Sequence, residues 1–380
     1  LTVFVFALTG FFVFMAFGKN FTVKPEADNP SDTLSSGEVS EDVPTSTLPD
    51  NVVYDFENEE MRGVWIASVI NINYPSKTGL TADELKAELD DIVKNASEAG
   101  LNAIFFQVRP TSDALYPSEI FPWSKYITGT QGVAPEGNFD SLAYIIEKAA
   151  EKNIKVHAWV NPYRVTMYES DEAGLAPDHP AVLHPEYTVK YADGKTYFNP
   201  GLPEVRTLVI EGVKELAANY PDLAGIHFDD YFYPTQDVSF DEAAYTAYTQ
   251  EVSGSGEPLS LADWRIANIN ALISEVYRRI KAVNPEIQFG IAPQGNLQND
   301  WNMGADVATW CKTSGYLDYI CPQLYVNFEN PTLPFGPAAQ TWKNLVVNPD
   351  IKLYLGLAVY KAGSDADDGT WKTADDILAR

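Results

Sequence analysis

From residue 61 onward the chain alternates two hydrophobic patterns. Short runs rich in β-branched and aromatic residues recur at 62–69, 102–109, 154–160, 224–229, 287–293, 317–323 and 353–359. Between them, 82–99, 141–152, 203–219, 261–283 and 305–312 carry apolar residues at helical spacing. Strand, loop and helix in repetition predict parallel strands joined by helices, and seven such strands predict an α/β chain of the (β/α)8 TIM-barrel kind. A doubly wound sheet is the alternative, but the first run, RGVWIASVINI, is followed by no glycine fingerprint. The last segment, DDILAR, reads as the helix after the seventh strand, so the barrel is expected to be truncated before its eighth strand.

The region before residue 61 patterns differently. Residues 1–17, LTVFVFALTGFFVFMAF, hold no charge and are about the length of a signal-peptide apolar region or a marginal anchor. Eleven Asp and Glu and no Lys or Arg lie between Glu26 and Glu60, among many Ser, Thr and Pro. Such a composition cannot bury a core and suits a tether. The expected organisation is a signal peptide or N-terminal anchor at 1–20, a disordered acidic linker at 21–60 and a barrel domain at 61–380. Localisation is then extracytoplasmic, secreted or anchored at the cell envelope, with a membrane tether through the apolar segment.

Composition adds exclusions. The formal net charge of −27 argues against nucleic acid as a partner, because attraction to phosphate rests on Lys and Arg. Cys311 and Cys321 are the two cysteines and are expected to be buried thiols; His157, His179, His184 and His227 show no metal-ligand spacing. Neither a metal nor a cofactor is expected, and oligomeric state is not legible.

In a TIM barrel the loops after the strands build the active site, so polar residues at strand ends are the candidates. Alternate side chains share a face. On the fourth run Ile226 and Phe228 face one way, and His227, Asp229 and Tyr231 the other. The same parity groups Gln107 with Arg109, His157 with Asn161, and Gln323 with Tyr325. Trp65, Tyr116, Trp123, Tyr163, Tyr231, Tyr233, Tyr325 and Phe328 lie in or just beyond strand ends, and flat rings beside Asp, Asn, Gln and Arg suit sugars. The substrate-binding candidates are thus Trp65, Gln107, Arg109, Tyr116, His157, Asn161, Arg164, His227, Tyr231, Tyr233, Gln323 and Tyr325. Glycoside hydrolysis needs two carboxyls. Asp229 is the first. Its partner is Glu329, favoured because QLYVNFENPTLPF is long and aromatic enough to overhang the pocket, or else Asp113, or Asp230. In the structural alternative Asp229 pairs with Arg109 or Arg164 and does no chemistry.

The motifs MRGVWIASVINI, LNAIFFQVRPTSDALYPSEIFPWS, HAWVNPYR, YFNPGLPEVR, GIHFDDYFYP, LADWR and LDYICPQLY together resemble the bacterial glycosyl-hydrolase-like family 10, from Met61 to the end of the chain. The resemblance implies an exported TIM-barrel glycosidase-type domain whose members are linked to cell-wall glycan turnover. It also implies a site formed by the Asp229–Asp230 pair and the polar ends of the second, third and sixth strands. A glycoside hydrolase acting on a polysaccharide, peptidoglycan glycan strands foremost, is the expectation. A carbohydrate-binding or cell-wall scaffold without turnover is the alternative. No glycine-rich loop supports a phosphate or nucleotide enzyme.

Overall fold

The computed structural model describes residues 12–15, 60–254 and 256–372. Most of the expected signal segment and linker, and the terminal DDILAR, lie outside the described residues.

Seven parallel strands form one sheet in chain order: β1 (Arg62–Ile66), β2 (Ala103–Arg109), β3 (Lys155–Val160), β4 (Gly225–Phe228), β5 (Gln288–Ile291), β6 (Tyr319–Ile320) and β7 (Lys352–Leu353). Beyond β6 and β7, Gln323–Leu324 and Gly356–Leu357 pair again in parallel. Phe12–Met15 pairs antiparallel with β1. The covering helices are α1 (Ala82–Glu98), α2 (Ser141–Ala150), α3 (Pro203–Asn219), α4 (Leu261–Val283), the single turn α5 (Val307–Trp310) and α6 (Phe335–Leu345).

Helix starts follow local chemistry. Thr81 and Glu84 close a reciprocal capping box on α1, Asp140 accepts from the amides of Leu142 and Ala143, and Pro203 opens α3. Several elements escape the sequence pattern, the helix Glu242–Val252 among them. α6 begins FGP, which masks a helix although Gly and Pro are tolerated in a first turn. The hairpin Thr188–Lys190/Thr196–Phe198 turns at Asp193-Gly194, with Gly194 at φ 79°.

The sheet curls. Neighbouring strands lie about 4.8 Å apart, so β1 and β4 would stand roughly 14 Å apart in a flat sheet. Instead the Trp65 indole of β1 donates to Nε2 of His227 on β4 at 3.1 Å, and the Tyr319 hydroxyl of β6 lies 3.0 Å from Nδ1 of His157 on β3. A Cβ built on Gly356, beyond β7, would lie 2.9 Å from the Trp65 ring, so the last strands come back to the first. Outward residues such as Val64, Ile104, Phe106, Ile226 and Phe228 join the helices in the main core; Trp65, Phe105, Tyr319, Cys321 and Tyr354 fill the interior. Cys311 and Cys321 are separate buried thiols, one in each core.

Inside, the hydrogen bonds have one consistent direction. An indole N–H only donates, so His227 Nε2 is the acceptor and its proton sits on Nδ1, which donates to the Tyr319 oxygen at 3.1 Å. The Tyr319 hydroxyl then donates to His157 Nδ1. Burial holds both imidazoles neutral, His157 pushed down to about 3 and His227 well below its ordinary range. Tyr319 fits because β5 presents Gly290 opposite it: a Cβ there would lie 2.2 Å from the phenol ring. Gly290→Ala is expected to displace the ring, break both histidine contacts and lower stability by on the order of 3 kcal/mol, read as a shift of the urea midpoint. An unchanged midpoint would mean that the ring yields without loss.

Candidate functional site

The working end of the sheet is the carboxyl end of its strands, and the chain leaves β4 as Asp229-Asp230-Tyr231. Asp229 is 3% exposed. Asn161, just past β3, donates its Nδ2 to both carboxylate oxygens at 3.0 and 3.1 Å, and the Trp159 indole donates to Oδ2 at 3.1 Å. The Asn161 orientation is not ambiguous, because its Oδ1 accepts the amides of Tyr163 and Arg164. Every group facing Asp229 from β3 is therefore a donor, which suits the anion, while burial opposes it. Burial dominates: it pushes the Asp229 carboxyl up to about 6, against the lowering influence of Arg164, with Asp230 adding to the rise.

Asp230 is 8% exposed and leans the other way along the rim. Gln323, beyond β6, donates to its Oδ1 at 3.0 Å and to the Ala292 carbonyl at 2.8 Å, and the Gln294 side chain also reaches it. Burial raises its carboxyl as well. The pair thus straddles the end of β4, one member fastened to β3 and the other to the β5–β6 side. Arg164 stacks its guanidinium over the half-exposed Tyr231 ring at 4.5 Å, and Tyr325 sets its ring edge-on to Trp65 and to the exposed Tyr360.

The structure brings together Asp229, Asp230, Asn161, Arg164, Tyr231, Gln323 and Tyr325 of the expected residues, and separates the others for identifiable reasons. Arg109 does not share a face with Gln107. Pairing with β3 slips between them, Gln107 opposite Trp159 and Arg109 opposite Val160, and this bulge turns Arg109 outward. Its guanidinium lies against Gly212 of α3 and over Phe121 at 4.5 Å, where burial lowers its pKa. Tyr116 follows it outward and packs edge-on against Tyr220. Tyr233 is enclosed between Phe240 and Arg265, the latter paired with Asp241. Trp65, His157 and His227 belong to the interior chain below the rim, and Gln107 spends its Oε1 on the amides of Ser68 and Val69.

Of the other carboxyls, Asp113 is fully buried in the loop after β2, accepting from Thr111 and Gln131. Glu329 is exposed in the loop after β6, its amide donating to Asn327. Among the described residues no group of three or more His, Cys, Asp or Glu could hold a metal ion. A broad groove of about 1400 Å³ between α2 and α3, lined by Asp140, Glu147, Lys155 and Asp222, shares no residue with this rim.

Trp159, Gln294, Asp300 and the rim residue Tyr360 are not among the sequence candidates. Trp159 has the inward parity of His157 and Asn161, so its signal was present. Gln294 ends β5 as the other candidates end theirs. Asp300, in the short helix Leu297–Asn302, carried no signal: it is 1% exposed, its Oδ1 accepts the Gln294 amide at 2.8 Å and its Oδ2 has no partner among the described residues. Burial pushes Asp300 up to about 8. Native protein then keeps a proton that the unfolded chain loses above about pH 4, so stability falls as pH rises from there to about 8. Wild type is expected to lose about 1.4 kcal/mol between pH 7 and 9 from this group, and Asp300→Asn to be spared that loss. Urea midpoints at the two pH values check it; equal losses would exonerate Asp300.

Fold and rim together define a glycoside-hydrolase-like α/β barrel architecture. The chain belongs to the glycosyl hydrolase-like 10 family, whose profile matches residues 60–373. It is 37% identical over 329 residues to the glycosyl hydrolase YngK of Bacillus subtilis (strain 168), covering 82% of this chain and 62% of that one. It is 31% identical over 337 residues to the glycosyl hydrolase DigH of Escherichia coli (strain K12), covering 80% of this chain and 74% of that one. The chain thus spans less than two thirds of the Bacillus relative. Among solved structures, a β-galactosidase from the psychrophilic Marinomonas ef1 aligns at TM-score 0.42 and 12% identity, over 66% of this chain and 40% of that one.

Proposed function

We propose that this protein hydrolyses O-glycosidic bonds in a polysaccharide, bacterial cell-wall glycan strands foremost, and that it works outside the cytoplasm. Asp229 and Asp230 are its two working carboxyls. The observation that carries this reading is the treatment of Asp229: a carboxylate almost wholly withdrawn from water, gripped by three donor contacts and placed beside a second acid on an aromatic rim. A merely structural acid would be expected to pair with a cation, yet no ion pair to Asp229 forms within 4 Å among the described residues; Arg164 acts on it from farther away while stacking on Tyr231. Tyr231, Tyr325 and Tyr360 offer flat faces for sugar C–H surfaces, and Asn161, Arg164 and Gln323 offer donors for hydroxyls. Membership of the family and the hydrolase names of the relatives support the same reading.

The test is digestion of purified peptidoglycan glycan strands, with and without stem peptides, beside plant and storage polysaccharides, followed through new reducing ends and product masses. Release from cell-wall strands is the expected result. Tight binding without release from any polymer would instead make the protein a carbohydrate-binding scaffold.

A further inference from the structure

Glycosidases with a carboxylate nucleophile hold it about 5–5.5 Å from the acid, and water-activating ones leave roughly 6.5–9.5 Å, in both cases with the groups flanking the sugar. Here the two carboxyls are consecutive residues at one strand end. Both spring from that one strand end, Asp229 fastened toward β3 and Asp230 toward the β5–β6 side, so they flank the end of β4 and not the two faces of a sugar lying over it. Of the other candidates, Asp113 is buried and accepts from Thr111 and Gln131, and Glu329 is exposed on the loop after β6. Trp159, which touches Asp229, and Tyr325 are the two part-buried rings packed on the inner core.

Resting on the hydrolase reading, we propose that the substrate brings its own nucleophile: the site takes β-linked 2-acetamido-2-deoxy sugars, Asp229 holds the acetamido N–H, and Asp230 is the acid. Asp229 fits its part because its two oxygens are fixed by Asn161 and Trp159, so its position is set before substrate arrives. Asp230 fits the other because the Gln323 and Gln294 side chains hold it on the opposite flank of the strand end. The acetamide methyl finds the Trp159 and Tyr325 rings.

In the first step the acetamido carbonyl oxygen bonds to C1 as the bond from C1 to the leaving oxygen breaks. The Asp230 proton goes to that oxygen, and the oxazolinium ion formed rests its N–H on the Asp229 carboxylate. In the second, water attacks C1 and gives its proton to Asp230, and the ring C1–O bond breaks with its electron pair returning to the acetamide. Two inversions give net retention. Internal attack requires the leaving group trans to the acetamide, which is why the linkage is β.

The experiment uses the full chain and one glycan-strand preparation in three forms: native, de-N-acetylated, and de-N-acetylated then N-trifluoroacetylated. Fluorines weaken the carbonyl nucleophile while keeping the N–H. Cleavage of the trifluoroacetylated strands is expected to fall on the order of 100-fold and that of the de-N-acetylated strands at least as far. The first-formed product from native strands should be the β-anomer by NMR. Trifluoroacetylated strands cut as fast as native ones, or an α product, would overturn the proposal and leave the hydrolase reading standing. So would cleavage confined to polysaccharides without N-acetyl groups. No release from any polymer would end both. Azide separates the two acids further. Asp230→Ala should yield β-glycosyl azide, whereas an α-glycosyl azide from Asp229→Ala would reveal Asp229 as a covalent nucleophile and overturn the assignment.

Discussion

Asp229→Asn is expected to reduce kcat by on the order of 1000-fold while leaving the protein at least as stable as wild type. The loss follows from removing the negative charge that faces the developing cation in a water-poor site, where electrostatic stabilisation is largest. The stability follows from the pKa. Held at about 6, well above the ordinary carboxylate range, the group binds a proton in the native state that the unfolded chain releases near pH 4. Its ionisation therefore destabilises the fold progressively as pH rises from about 4 to 6, by about 3 kcal/mol in full. Asparagine removes that burden. It also turns an N–H toward the Asn161 amide in place of one accepted bond, so a net gain of about 1 kcal/mol at pH 7 is the expectation, vanishing near pH 4. Melting curves and steady-state rates on the same preparation read both effects. A large drop in melting temperature with rates intact would mean that Asp229 holds the fold and not the transition state.

Asp230→Asn is expected to lose 100- to 10,000-fold on natural glycan, whose leaving group is a poorly acidic sugar hydroxyl, by about the usual worth of general acid catalysis. On aryl glycosides with acidic phenols the same variant should fall by only a few-fold, because a good leaving group departs with little help. The slope of log kcat/KM against leaving-group acidity should steepen accordingly. A uniform loss across the series would assign Asp230 to substrate positioning and leave the donor to be sought elsewhere. The expected asymmetry rests on Asp230 being protonated when substrate binds, which its burial promotes and the Gln323 amide opposes.

The sequence made the strand order legible because period-two runs and helical stretches alternate cleanly, and each strand end carried its polar residues where a barrel would use them. Parity was reliable where strands are regular. It placed His157, Asn161, His227 and Asp229 toward the interior, where the side chains meet. It failed at Arg109, since a one-residue slip has no signature in composition. It was silent on Tyr116 and Tyr233, because aromatic loops after a strand can fold over the pocket or back onto the helices, and hydrophobicity alone does not say which. The long aromatic loop after β6 points to Glu329, but loop length does not fix where a side chain points. Asp300 was invisible for a different reason: its isolation is created by tertiary contacts from β5 and the following helix, not by its neighbours in sequence.

The slip between Gln107 and Arg109 also bears on how such a barrel diversifies. Along a regular strand, residues two apart serve the same face. The extra residue, Val108, frees this pair from that rule: Gln107 keeps the lumen, and Arg109, opposite Val160, keeps its seat on Gly212. Deleting Val108 would leave Arg109 opposite Val160 and still outward, whereas straightening the strand without a deletion would swing a cation toward the acids on the rim. A barrel of this kind can therefore gain or lose one codon here without moving a residue between lumen and jacket.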